Sequence, residues 1–402
     1  MSETERENYM KKFLNIIFAF IFVAVLISGL ISALFFAKDV NKYENRPANK
    51  MPSFSFNSFI NKDFQEKFDD ALNDQLPFSE SLKKLYNKTN AEFESYFTEK
   101  FVKKETNGTY INLGNIYIFG GDHYVDLPIY YEDNIEYFES RINNINNTIE
   151  KLPYVDFYTY YIEKETDIDF SEEKRLNVAE TVLEQIKLPD ENKGYFKIDN
   201  FEDFDKKFLK TDTHWNSYGA YLGYCDVLKL IMPEETPVLC GEQILVTEKF
   251  SGNKASINGA LGVWTEPFYT YDFTLPDMEY YINGEKTDDY GDKEKILSGI
   301  STDITYGTFF GGDNGETIIK NPNGNGEKLL IIGESFDNAI LKLIASHTSE
   351  MYSIDLRNYK AQLNKEFILK DYLEEHGISK VLLIGNMSFY FSSSEFDMEV
   401  EK

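Results

Sequence analysis

The sequence predicts an α/β fold: a parallel sheet flanked by helices, preceded by a transmembrane helix and interrupted by a β-rich insertion. Three observations carry that reading. One-sided helical runs alternate with short apolar, β-branched runs on both sides of a central gap, the rhythm of a helix-flanked parallel sheet. Residues 13–36 hold 24 positions without a charge, which as a helix spans roughly 36 Å at about 1.5 Å per residue and so crosses a bilayer. Residues 233–326 break the α/β rhythm with short β-type runs and many turn residues.

In chain order, residues 1–37 are read as the anchor. The apolar run is longer than a cleaved signal allows, and its exit, L-F-F-A, lacks a small-residue cleavage pattern. Lys11 and Lys12 before the span are matched by Lys38, Lys42, Arg46 and Lys50 after it, so charge does not orient the chain. Residues 38–54 read as a polar stalk and residues 64–101 as a helical collar broken at Pro77, the two making up 38–108. Residues 109–232 form the first half of the α/β domain. A hairpin over 110–121 comes first, then a helix over 134–152 with Ile135, Phe138, Ile142, Ile145 and Ile149 on one face. A strand over 155–162, a helix over 176–186, a short helix over 201–209 and a helix opening at Ser217 follow. Residues 327–402 form the second half: strand 328–332, helix 337–346, strand 351–355, helix 364–376 and strand 380–384.

Composition narrows the function classes. A net charge of −27 leaves no basic stripe to neutralise phosphates, which argues against nucleic acid, and it disfavours a strongly anionic polymer as acceptor. Most of the 28 tyrosines and 33 phenylalanines must be core. No C-x-x-C or His cluster is present to bind a metal, and no cofactor motif occurs; the Gly-rich pieces at 311–315 and 321–326 lack a phosphate-loop ending. Cys225 and Cys240 are either buried thiols or one short-loop disulfide. His123, His347 and His376 have no partner pattern and read as surface residues.

Two segments carry chemistry. Residues 211–215 read T-D-T-H-W, and residues 333–336 read G-E-S-F on a predicted strand-to-helix turn. Such a turn exposes the Ser335 hydroxyl above the sheet edge and turns backbone N–H groups toward an oxyanion. His214 would then take the Ser335 proton and Asp212 would hold the imidazole tautomer, with the serine carrying an acyl group. Taken singly, Ser335 also reads as a helix cap and the Asp-x-His pair as a satisfied polar cluster. Trp215 reads as core filler or as a wall of the acyl pocket. Arg357 reads as an oxyanion or hydroxyl-binding cation, or as one half of an ion pair.

Together these segments resemble the SGNH-type domain of the alginate O-acetyltransferase family and its low-GC relatives, the DHHW family. In those proteins a T-D-x-H-W segment precedes a G-[DE]-S-F segment, so Asp and His come before Ser. Residues 73–78, N-D-Q-L-P-F, look like the D-x-F-P-F segment opening these domains, with Ser79 where an arginine commonly follows. Residues 114–121, G-N-I-Y-I-F-G-G, look like the family hairpin, and 355–359, D-L-R-N-Y, look like its D-Y-R-x-Y segment. Thr213 stands where the family name requires a second histidine. The resemblance implies an SGNH-hydrolase-like fold, a main domain outside the cell, a membrane-bound acyltransferase as donor partner and a polysaccharide as acceptor. It also implies an oxyanion role at Gly333 and, by analogy with the G-x-N of ordinary SGNH hydrolases at a spacing one residue short, at Asn386. The same triad would serve a carbohydrate esterase, and the two departures leave room for a non-catalytic scaffold.

Overall fold

A computed structural model of the chain describes residues 3–35, 38, 40–41, 46–97, 108–112, 116–299, 304–391 and 394–401. Phe36 and Ala37, residues 39 and 42–45 of the expected stalk, residues 98–101 of the expected collar and residues 113–115 of the expected hairpin lie outside them. Two compact units are present, residues 96–255 with 261–402, and residues 1–95 with 256–260.

The smaller unit opens with the helix Glu3–Phe35, whose stretch Lys12–Gly29 is long and apolar enough to cross a membrane. Helices Phe56–Ile60, Asp63–Gln75 and Ser79–Phe97 follow. The expected stalk does not stand free: the Gln75 amide accepts the Lys38 N–H at 2.6 Å and donates to the carbonyls of Lys38 and Asn49.

The larger unit is built on an eight-stranded sheet. Its strands are β1 (Asp156–Ile162), β2 (Lys193–Phe196), β3 (Glu279–Ile282), β4 (Glu285–Thr287), β5 (Glu316–Lys320), β6 (Lys328–Ile332), β7 (Glu350–Ile354) and β8 (Lys380–Asn386). Their order is β4-β3-β5-β7-β6-β8-β1-β2. From β7 to β2 all pairings are parallel, while β5, β3 and β4 add on antiparallel. The sheet is therefore mixed rather than parallel throughout, because part of the presumed insertion joins the sheet as its edge.

Period-2 alternation divides the core into two layers. Leu329, Ile331, Leu382 and Ile384 face one layer, with Tyr224, Val227 and Leu228 of α4 (Ser217–Ile231). Leu330, Ile332, Val381 and Leu383 face the other, with Phe138, Ile142 and Ile145 of α1 (Ile135–Lys151) and Val182 and Leu183 of α2 (Val178–Gln185). The short α3 (Phe201–Lys207) lies between β2 and α4 in the chain. Beyond β6 the predicted ten-residue helix is a 3-10 turn, Asp337–Ala339, followed by α5 (Leu341–Ala345). Helix 364–376 is replaced by α6 (Leu356–Leu363) and α7 (Leu369–His376), since Asn364 takes a left-handed backbone at φ 55° and ends α6.

Several local expectations change. Asn216, not Ser217, caps α4, accepting the N–H groups of Tyr218 and Gly219, while the Ser217 hydroxyl donates to the Tyr269 carbonyl. His123 and His347 are buried rather than exposed. Asp122 and Asp205 flank the His123 ring at 3.2 Å each, and His347 bonds the Tyr224 hydroxyl at 2.7 Å and Glu235 at 3.2 Å. His376 is half-buried against the rings of Tyr352 and Tyr372. Both cysteines are free thiols.

Candidate active site

The site forms where the parallel strands end. β6 stops at Ile332, opposite Leu383 of β8, and β8 runs three residues further to Asn386. That overhang lies beside the turn Gly333-Glu334-Ser335, and the buried Glu334 carboxylate accepts the Asn386 backbone N–H at 2.7 Å. The Gly333 N–H continues the ladder to the Ile354 carbonyl, and a side chain at Gly333 would meet Asp337 within 2.4 Å. The strand register thus sets where Ser335 stands, half-buried at the sheet's C-terminal edge.

The acid–base segment comes from a loop that closes on itself. The Leu209 N–H reaches the His214 carbonyl, the Asn216 N–H reaches the Lys207 carbonyl, and Phe208 bridges Trp215. Asp212 and His214 project from its tip. The Asp212 carboxylate lies 2.5 Å from His214 Nδ1, and His214 Nε2 lies 2.7 Å from Ser335 Oγ. Residues 121 positions apart in the chain therefore form one hydrogen-bonded succession of hydroxyl, imidazole and carboxylate. Asp212 also accepts the Asn253 backbone N–H at 2.8 Å, and Gly252 packs so closely that a Cβ there would lie 2.3 Å from the Asp212 Cβ. Burial by itself would raise the Asp212 carboxyl, but the His214 ring and the hydrogen bonds from His214 and Asn253 outweigh it and hold the group below its ordinary value.

A second set of side chains braces this loop, and the sequence reading missed them. Glu266 accepts the backbone N–H groups of Lys210 and Thr211 and the Thr211 hydroxyl at 2.7–3.0 Å. Asn253 accepts the Thr213 N–H at 2.9 Å. Tyr306 stacks on the His214 ring, centroids 3.9 Å apart and planes 6° from parallel, and its hydroxyl accepts the Trp215 indole N–H at 3.1 Å. Glu266 left a trace: it shares the inward face of its strand with Phe268 and Thr270, an acid in an apolar register. Tyr306 left none, being one of 28 tyrosines.

The other expected site residues fare differently. Trp215 is fully buried between Phe196 and Phe336, so it walls no open pocket and acts as core and as the support of Tyr306. Gly223 leaves room for it, since a Cβ there would fall 2.4 Å from the indole. Arg357 points no free fork at the serine: its Nε and Nη2 engage Asp355 at 2.6–3.2 Å, with Asp313 at 3.4 Å. Asn386 ends β8, and its side-chain oxygen caps the short helix Met387–Tyr390 through the Ser388 N–H. The Gly333 N–H is spent in the sheet ladder, while those of Ser335 and Phe336 meet no acceptor among the described residues. Among the described residues no group of His, Cys, Asp and Glu is arranged to hold a metal ion.

No curated protein matches the chain. Among solved structures it is similar to a DHHW family protein from Eubacterium siraeum DSM 15702, at 18% identity and a TM-score of 0.56, over 74% of this chain and 100% of that one. It is equally similar to PatB1 of Bacillus cereus with a sulfonyl adduct, at 18% identity and a TM-score of 0.56, over 73% and 100% of the two chains. These likenesses speak for the fold. The family model described as DHHW protein matches residues 102–354, more than half of the chain, and the chain belongs to the DHHW family.

Proposed function

We propose that the chain is a membrane-anchored O-acetyltransferase that works outside the cell, passing acetyl through Ser335 to a hydroxyl of a cell-surface polysaccharide or wall polymer. The observation that carries this reading is the unbroken contact from Ser335 through His214 to Asp212. In the first half-reaction Ser335 Oγ attacks the donor carbonyl while its proton moves to His214 Nε2. The tetrahedral oxyanion takes the open N–H of Ser335, with the Asn386 amide a candidate second donor. Collapse expels the donor's leaving group, which receives the proton from His214 and leaves acetyl-Ser335. In the second half, His214 takes the proton of a sugar hydroxyl, whose oxygen attacks the acetyl carbon, and the proton returns to Ser335 Oγ. Asp212, held below its ordinary value, stays ionised throughout and steadies the imidazolium. A membrane-bound acyltransferase would supply the acetyl donor, and the apolar helix Glu3–Phe35 would tether the enzyme beside it.

The test is acetyl transfer from a small activated ester to oligosaccharides, with acetate release measured in parallel. Ser335→Ala should lower both by about 10⁴-fold or more without changing the melting temperature. Acetate release that no oligosaccharide diverts would recast the protein as an esterase, and full activity in the variant would remove Ser335 as nucleophile.

A further inference from the structure

The 19-residue helix Ser79–Phe97 presents an apolar stripe that nothing in the catalytic reading uses. Leu82, Leu85 and Tyr86 follow the three-and-four spacing of one helix face, Phe78 stands just before the helix, and each is more than 60% exposed. Phe93 and Tyr96 continue the spacing along the next turns. Single exposed apolar side chains are ordinary, whereas a contiguous stripe of this length marks a surface that meets something apolar.

Its start is pinned beside the apolar N-terminal helix. Lys38, three residues past the end of Glu3–Phe35, is tied to Gln75 through both its N–H and its carbonyl, and its ammonium reaches the carbonyls of Asp74 and Leu76. Leu76 lies against Gly29, so that a Cβ on that glycine would stand 3.3 Å from Leu76 Cδ2. Gly29 closes the stretch Lys12–Gly29 that is apolar enough to span a bilayer. The loop from Gln75 to Phe78 therefore lies beside the C-terminal part of the apolar helix, next to the span itself. Charge does not oppose it: in a chain of net −27 the helix is neutral, Lys83, Lys84 and Lys88 matching Glu80, Glu92 and Glu94.

We propose that the Ser79–Phe97 helix lies in the headgroup layer of the membrane, with Phe78, Leu82, Leu85 and Tyr86 turned toward the acyl chains. An amphipathic helix partitions into that layer through burial of its apolar face. The inference rests on the anchor reading given above, and the experiment separates the two. The full chain, with C225A and C240A and with ester hydrolysis intact, is labelled with an environment-sensitive fluorophore at I21C, L82C, L85C or E191C. It is then reconstituted into phosphatidylcholine vesicles with and without phosphatidylglycerol, carrying spin-labelled lipid quenchers at shallow or deep positions.

Labels at L82C and L85C should lose most of their emission to the shallow quencher, with or without phosphatidylglycerol, and I21C to the deep one, while E191C, exposed on the larger unit, stays bright. Quenching at I21C with none at L82C and L85C overturns the inference and spares the anchor. No quenching at I21C removes the anchor and the inference with it. Concentration-dependent cross-linking of L85C between copies would overturn it in favour of a dimer.

Discussion

Ser335 and His214 stand 2.7 Å apart, yet the chain holds them in unlike ways. The serine is placed by backbone: β6 ends, β8 overshoots, and one carboxylate, Glu334, ties the turn to the overhang. The histidine is placed by side chains, Glu266, Asn253 and Tyr306 from distant segments and Trp215 next to it, acting on a loop without regular structure. A strand register is enforced by many ladder bonds at once, so one substitution seldom moves it. A loop braced by four side chains has no such redundancy, so the base should be the fragile half of the pair.

Substitutions on each side sharpen that contrast. Among changes to the supports of the two residues, the largest loss is expected at Gly252→Ala, whose added methyl must displace the Asp212 side chain. A shift of about 1 Å in a reacting group can cost on the order of 10²-fold, so kcat for ester hydrolysis should fall by about that much with KM little changed. Tyr306→Leu, which removes the ring beneath His214, should cost roughly 30-fold in kcat, with Tyr306→Phe restoring most of it. A chain in which Tyr306→Leu raises KM alone would show that Tyr306 meets substrate rather than the base.

Acid tests the same bracing through stability. Burial would raise Glu165, but the ammonium groups of Lys164 and Lys254 outweigh it and hold the carboxyl down at about 2. Lys254, the residue after Asn253, pairs with Glu165 and donates to the Tyr124 carbonyl at 3.0 Å. A depressed carboxyl stabilises the fold above its unfolded value and loses that contribution as pH falls toward its folded one. The melting temperature should therefore drop between about pH 4.5 and pH 2, and Glu165→Gln should flatten that drop. The smallest effect belongs to the serine's side. Glu334→Gln keeps an acceptor for the Asn386 N–H, and kcat should stay within about threefold of the parent. A collapse there comparable to Gly252→Ala would refute the claim that the register alone suffices.

The same division explains what the sequence revealed. Residues 328–332 and 380–384 are short apolar runs bounded by turn residues, and such runs declare buried strands without any partner being known. The nucleophile turn follows from them directly. Asp212 and His214 were legible as a motif, but their support was not, because Glu266, Asn253 and Tyr306 lie 39 to 92 residues beyond His214 and act only once the chain has folded. Strands β3 to β5 escaped notice for a related reason. Glu279–Ile282 and Glu285–Thr287 are brief, half-polar edge strands whose identity depends on the neighbour they pair with. Arg357 and Trp215 were legible as special residues with two roles open to each; Asp355 pairs with the one, and the core with Tyr306 takes the other.

The segment between the two motifs has a consequence for anyone wishing to transplant this site. It supplies β3, β4 and β5 to one margin of the sheet and, in the same stretch, the groups that steady the imidazole. Excising it would leave β7 with an unzipped flank open to intermolecular strand pairing and would slacken the proton acceptor together with it. A minimal graft must therefore carry this stretch whole, because here the scaffold and the catalytic apparatus are spun from one thread.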